Sequence, residues 1–198
     1  GRLVDHFVEP GEMHFSTSGE EIETLLGSCV SICIYDQALQ AGGLIHYVLP
    51  DPPVGSSSMT EPYKYGATAL PSLLKKFKAL GSKPDQLMAK IFGGARVVDG
   101  VDVDIGKLNI ELARQSLAKF GIPIVAQDVG GSQGRRIRFH SGTGKVMLQK
   151  MRGNPREHGR DSRADIDSKI FQPEVNPTAR TPKGTVQKPS ASKMLGVA

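Results

Sequence analysis

Apolar and polar positions alternate most cleanly over residues 30–35, where Val30, Ile32 and Ile34 share one face and Ser31, Cys33 and Tyr35 the other, until Asp36 ends the run. A period of two predicts a strand. The apolar stretch 42–49 predicts its neighbour, joined through a short loop at Gln40 and Ala41 that suits a hairpin. Residues 11–16 and 21–26 read as two earlier strands around the turn cluster Thr17-Ser18-Gly19. The spacing then changes to that of a helix. Leu70, Leu73, Leu74, Phe77 and Leu80 form an apolar stripe over 65–80, with Pro71 restricting the opening turn and Gly81 ending it. Residues 87–92 form a strand closed by Gly93-Gly94. Asp104 is placed to N-cap a second helix carrying Ile105, Leu108, Leu112 and Leu117, which ends before Gly121. A strand over 122–129 runs into Gly130-Gly131, and 136–139 pairs with 145–148 as a hairpin through Ser141-Gly142-Thr143-Gly144.

The pattern also sets expected boundaries. Residues 1–9 read as an N-terminal extension, 10–151 as one domain, and 152–198 as a basic tail with no periodicity, predicted to be disordered because it offers too little apolar surface to offset ordering entropy. Residues 51–59, with prolines, a glycine and a serine run, have the composition of a mobile loop directly after the strand that contains His46.

At 198 residues and 38% hydrophobic content the chain is long enough for one domain with a real core. No window approaches the roughly 18–20 apolar residues of a membrane span, and the N-terminus lacks a basic-then-apolar signal layout. A cytoplasmic protein without membrane insertion is expected. The net charge of +5 resides mainly in the tail, where nine Lys/Arg face five Asp/Glu. With no Trp and no basic-aromatic interleaving, that balance predicts no nucleic-acid partner.

Cys29 and Cys33 are the only cysteines. On one extended strand their Cα atoms lie roughly 13 Å apart, beyond the ~7 Å a disulfide tolerates, so two thiols in a reducing compartment are expected. There is no CxxC, no HExxH and no His/Cys cluster, which predicts neither a metal nor another cofactor.

The candidate chemistry lies in Leu26-Gly27-Ser28-Cys29-Val30 and Gly42-Gly43-Leu44-Ile45-His46-Tyr47-Val48-Leu49-Pro50. A cysteine just after a tight turn and a histidine on the adjoining strand form the minimal pair for a thiolate nucleophile and its base. Inert packing of each is the other reading, since an isolated Cys is usually a buried apolar residue. A thiol with a reference pKa of about 8.5 is ionised to only a few per cent at neutral pH, and an imidazolium partner would favour ionisation. Gly27 is expected to supply the dihedrals and close backbone approach of the turn, and the segment Gly27-Ser28-Cys29 to bind substrate or donate to an oxyanion through the Cys29 N–H. Gly93-Gly94 and Gly130-Gly131 read either as plain turns or as the cleft lining with a second donor. Cys33, inside an alternating strand, is assigned to packing. Asp128 with Arg135-Arg136 reads as surface pairing.

Five strings in series, LGSCV at 26–30, GGLIHYVLP at 42–50, IFGGA at 91–95, IGKLN at 105–109 and DVGG…GRRIRF over 128–139, resemble the chemoreceptor glutamine deamidases called CheD, over roughly residues 10–151. The resemblance implies an α+β layered sandwich of mixed β-sheets with flanking helices, of the toxin-deamidase type. It implies an enzyme, a protein-glutamine glutaminase, that hydrolyses glutamine side chains of methyl-accepting chemoreceptors to glutamate through a cysteine thioester and releases ammonia. Some members are described as receptor methylesterases, and some bind the CheC-type phosphatase; those activities, and a non-catalytic regulator of that phosphatase, are the alternatives. The resemblance puts the nucleophile on Cys29 and the base on His46. The family's third residue, an upstream threonine, falls on Thr24, whose hydroxyl would accept the second imidazole N–H, although a stricter count lands on Glu23. A papain-like protease is disfavoured, because its cysteine carries a different local signature and its histidine lies far downstream.

Overall fold

The computed structural model describes residues 3–56, 60–96 and 103–151. The expected tail over 152–198, and residues 57–59 of the expected loop, lie outside them. The elements run β1 (His6–Phe7), β2 (Glu12–Ser16), β3 (Glu21–Leu26), β4 (Val30–Asp36), β5 (Ala41–Tyr47), α1 (Gly66–Leu80), a short 3-10 turn (Pro84–Gln86), β6 (Leu87–Gly93), α2 (Ile105–Lys119), β7 (Ile124–Val129), β8 (Arg135–His140) and β9 (Val146–Lys150).

Two mixed sheets result, one of four strands ordered β1-β3-β8-β9 and one of five ordered β2-β5-β4-β6-β7. β1 with β3 and β6 with β7 are parallel, and the remaining pairs are antiparallel. The predicted hairpin β4–β5 forms, with Val30 opposite Tyr47 and Ser31 opposite His46. Strands β2, β3 and β4 follow one another in sequence but alternate between sheets. The chain therefore crosses from one sheet to the other in the turn after Ser16 and again at residues 27–29.

The two faces of the five-stranded sheet bury different things. Val30, Ile32, Ile34, Ile45 and Tyr47 pack beneath α1 and α2, against Leu70, Leu73, Phe77, Ala113 and Leu117. The opposite face carries Cys33, Tyr35, Leu44 and Phe92, which meet Ile22, Leu26, Ile137 and Phe139 of the four-stranded sheet. Both helices thus lie on one side of an α/β/β stack. The strand period makes this division inevitable, since neighbouring residues must serve opposite layers.

Local signals act as expected at both helices. The Asp104 carboxylate accepts from the Lys107 N–H at 3.0 Å as the α2 N-cap, and Gly81 ends α1 in the left-handed conformation at φ 96°. Residues 6–8, which patterning leaves in the N-terminal extension, pair with β3, and Val8 is fully buried between the sheets. Two residues are too short a run to register a period.

Candidate active site

The site forms where the chain crosses between sheets at residues 27–29. Thr24 comes from β3 of one sheet and His46 from the end of β5 of the other, while Cys29 sits in the turn that joins β3 to β4. Thr24 and His46 are buried and Cys29 is half-buried, its side chain against the inter-sheet cluster. Cys29 lies two residues before Ser31, the register partner of His46. The Cys29 side chain packs against the inter-sheet cluster, and His46, which shares its side of β5 with Leu44, faces the same seam.

The hydrogen bonds determine the histidine tautomer. The Thr24 hydroxyl donates to the Val8 carbonyl at 2.7 Å and lies 2.8 Å from His46 Nδ1. A carbonyl only accepts and a hydroxyl has one proton, so Thr24 must accept the Nδ1–H. Nε2 then holds the lone pair. It is buried and has no hydrogen-bond partner among the described residues. Burial is the larger influence on the imidazole and lowers its pKa to about 4, with the Val8 carbonyl acting the other way. His46 is consequently neutral at pH 7, in place of the imidazolium expected to favour a thiolate.

Glu23, the other position for the third residue, is engaged on the arginines of β8. Its carboxylate takes Arg138 Nη2 at 3.0 Å and Arg136 Nη1 at 3.2 Å across β3–β8. Alternation on β3 sends Glu23 to the side of the sheet away from Thr24. Arg136 is thereby drawn away from Asp128, which pairs with Arg135 Nε at 2.6 Å and with Lys150 at 3.4 Å. The Asp128–Arg135 pair is nearly buried rather than on the surface, because Arg135 also donates to the Gly130 and Gln133 carbonyls and ties down that loop.

The glycines do more than turn the chain. Gly93 adopts φ 102°, and a Cβ there would stand 2.2 Å from the Cys29 carbonyl oxygen. The Gly94 N–H donates to that carbonyl at 2.8 Å, and the Gly130 N–H to the Gly93 carbonyl at 2.9 Å. Both N–H groups are therefore occupied, which removes them as the second oxyanion donor. Gly27 is not among the residues with positive φ, so dihedral freedom is not its reason; its carbonyl accepts the Ala95 N–H at 2.8 Å.

Sequence reasoning missed Asn109, fully buried on α2. Its side-chain Nδ2 donates to the Ser28 carbonyl at 3.1 Å and the Val48 carbonyl at 2.9 Å, and its main-chain carbonyl accepts the Tyr47 hydroxyl at 2.5 Å. The available signal was a polar residue on the apolar stripe of α2, one position before Ile110. Among the described residues no group of three His, Cys, Asp or Glu side chains could hold a metal ion, and no helix is long and apolar enough to cross a membrane.

The fold is a mixed-sheet α+β sandwich with a half-buried cysteine at the inter-sheet turn and a histidine held by a threonine. The particular family follows from comparison with known proteins. The family described as CheD chemotactic sensory transduction matches residues 48–150, a span that includes Asn109 and both Gly-Gly pairs and begins just after His46. A probable chemoreceptor glutamine deamidase CheD of Methanococcus maripaludis is 39% identical over 145 residues, 72% of this chain and 93% of the relative. Another, from Geobacter sulfurreducens, is 34% identical over 152 residues, 76% and 92% of the two chains. The chain belongs to the CheD family. Among solved structures, the Bacillus licheniformis hypothetical protein YfiH is 15% identical with a TM-score of 0.38, covering 61% of this chain and 49% of that one, a likeness too slight to bear on the reading.

Proposed function

We propose that this protein hydrolyses glutamine side-chain amides of chemoreceptors to glutamate, with Cys29 as nucleophile, His46 as base and acid, and Thr24 as the group that orients the imidazole. The observation that carries this reading is the run Val8 carbonyl, Thr24 hydroxyl, His46 Nδ1, which leaves Nε2 unprotonated in the inter-sheet seam that the Cys29 side chain borders. The substrate class comes from the relatives, which are probable chemoreceptor glutamine deamidases.

A primary amide resists attack and has a poor leaving group, so nucleophile, proton donor and charge stabilisation must all be supplied. His46 Nε2 takes the thiol proton as Sγ bonds to the amide carbon, and the carbonyl π pair moves onto oxygen. The Nδ1–H of the resulting imidazolium stays on the Thr24 oxygen, and the Val8 carbonyl dipole faces the new charge. When the C–N bond breaks, Nε2 returns that proton to nitrogen and ammonia leaves. Water then loses a proton to Nε2 and attacks the thioester; the carbon–sulfur bond breaks, glutamate departs and the thiol is restored. Burial supports both proton transfers, because a base that is neutral at working pH accepts from the thiol and, once charged in an apolar seam, releases its proton readily.

The test is ammonia release from purified receptor signalling domain, with the site of conversion read by mass spectrometry. Cys29→Ala is expected to abolish release while keeping its circular dichroism spectrum. Undiminished release from that variant removes Cys29 from the mechanism, and methanol from methylated receptor in place of ammonia makes the protein an esterase.

A further inference from the structure

We propose that Asn109 is a positioning residue that aims the backbone N–H of Cys29 at the oxygen of the tetrahedral intermediate, an inference that rests on the deamidase reading above. Its side-chain Nδ2 holds the Ser28 carbonyl at 3.1 Å. That carbonyl and the Cys29 N–H belong to one peptide group. In a planar trans peptide the two bonds point in opposite directions, so holding the oxygen against α2 turns the N–H to the side away from the helix.

The next peptide is held as well, by the Gly94 N–H on the Cys29 carbonyl at 2.8 Å. Both planes flanking the nucleophile are thus anchored before substrate arrives, which is what electrostatic preorganisation of an oxyanion donor requires. The second bond of the same amide goes to the Val48 carbonyl at 2.9 Å, two residues beyond His46, and the Asn109 main-chain carbonyl receives the hydroxyl of Tyr47. One helical residue therefore joins the turn of the nucleophile to the strand of the base.

The orientation of the amide is unambiguous. Ser28 and Val48 present carbonyls, which only accept, so the NH2 group must face them and Oδ1 must face away. Oδ1 is buried without a hydrogen-bond partner among the described residues, a cost the fold carries in order to keep both donors on those carbonyls. The backbone is built for this contact. A Cβ at Gly106 would lie 2.4 Å from the Gly94 carbonyl oxygen, so α2 reaches the nucleophile turn only because glycine occupies that position.

The experiment compares amide hydrolysis with alkylation of Cys29 by iodoacetamide, a displacement at carbon that generates no oxyanion. In Asn109→Leu, which keeps volume but has no donor, kcat for ammonia release is expected to fall about 30- to 100-fold, with KM and the alkylation rate changing less than about twofold. The Asn109→Asp variant can donate only where its carboxyl is protonated, so its kcat should recover as pH is lowered, whereas wild type stays level. This second variant carries the test if the leucine variant does not fold. Wild-type kcat in the folded variants overturns the proposal. So does alkylation falling in step with kcat, or an aspartate variant with a level pH profile. Wild-type protein releasing no ammonia overturns the deamidase reading instead, a result visible before any Asn109 variant is made.

Discussion

Cys29 and Cys33 lie four residues apart on the same face of the same strand region, yet one stands at the rim of the inter-sheet seam and the other in its interior. Cys33 is fully buried among Tyr35, Leu44, Phe92 and Phe139, and burial pushes its thiol up to about 12 despite the charge of Lys90 nearby. Cys29 is half-buried at the turn, where its carbonyl accepts the Gly94 N–H. Neither is in a disulfide. The difference teaches that the residue type and even the face are insufficient: depth along the seam separates a partly exposed thiol from a sealed one.

The sharpest way to break this comparison is alkylation of the native protein. At pH 7 Cys29 should be labelled at least about 10³-fold faster than Cys33, because a thiol pushed to about 12 is almost never ionised there. Comparable labelling of the two, resolved by peptide mass spectrometry, would put them in equivalent environments.

The next effect concerns the buried His46. The folded pKa of His46, about 4, lies below the ordinary value of 6.5, so as pH falls the unfolded chain takes up the proton first. Its contribution to stability is complete above about pH 6.5, declines through the window down to about 4, and amounts to on the order of 3 kcal/mol. Urea titrations across that window should show the decline, and His46→Gln should lose much of it. The same depression predicts a level deamidation rate between about pH 5 and 7, where an ordinary histidine base would lose activity.

A somewhat smaller change separates Thr24 from Glu23. Thr24→Val, which keeps shape but frees the imidazole tautomer, should lower kcat about 30-fold, with activity restored by Thr24→Ser. Glu23→Gln should keep kcat and instead lose about 2 kcal/mol of stability, since Arg136 and Arg138 are left facing a neutral partner. A kinetic defect in the glutamine variant with none in the valine variant would reverse the assignment. The smallest effect belongs to the interior: Cys33→Ala should leave kcat within about twofold of wild type and cost about 1–2 kcal/mol from the lost buried sulfur.

Much of this was legible along the chain. The strands read at 21–26 and 30–35, the β4–β5 hairpin and the Asp104 cap follow from local period and turn chemistry, which depend only on near neighbours. The five recurring strings also led to the family. Partners brought from far away were not legible. Alternation shows that Thr24 shares a face with Ile22 and Leu26 but says nothing about which strand lies across from it. The Val8 carbonyl came from a segment with too few residues to display a period, and main-chain groups leave no mark in composition. Arg135 and Arg136 look alike as neighbours, and only the alternation of β8 in its sheet sends one to Asp128 and the other to Glu23.

By itself, then, the sequence determined which residues would be extended or helical, which faces would be apolar, and that Cys29 would stand at a turn and His46 on a strand. The tertiary structure alone decided that the chain changes sheets at residues 27–29, which sets Cys29 at a rim, closes Thr24 over His46, and brings Asn109 onto the Ser28 carbonyl. The physical reason is one of range. Dihedral preference and hydrophobic period act over a few residues, whereas the tautomer of a buried histidine and the direction of a peptide N–H depend on hydrogen-bond partners 22 and 81 residues away, placed only when the layers pack.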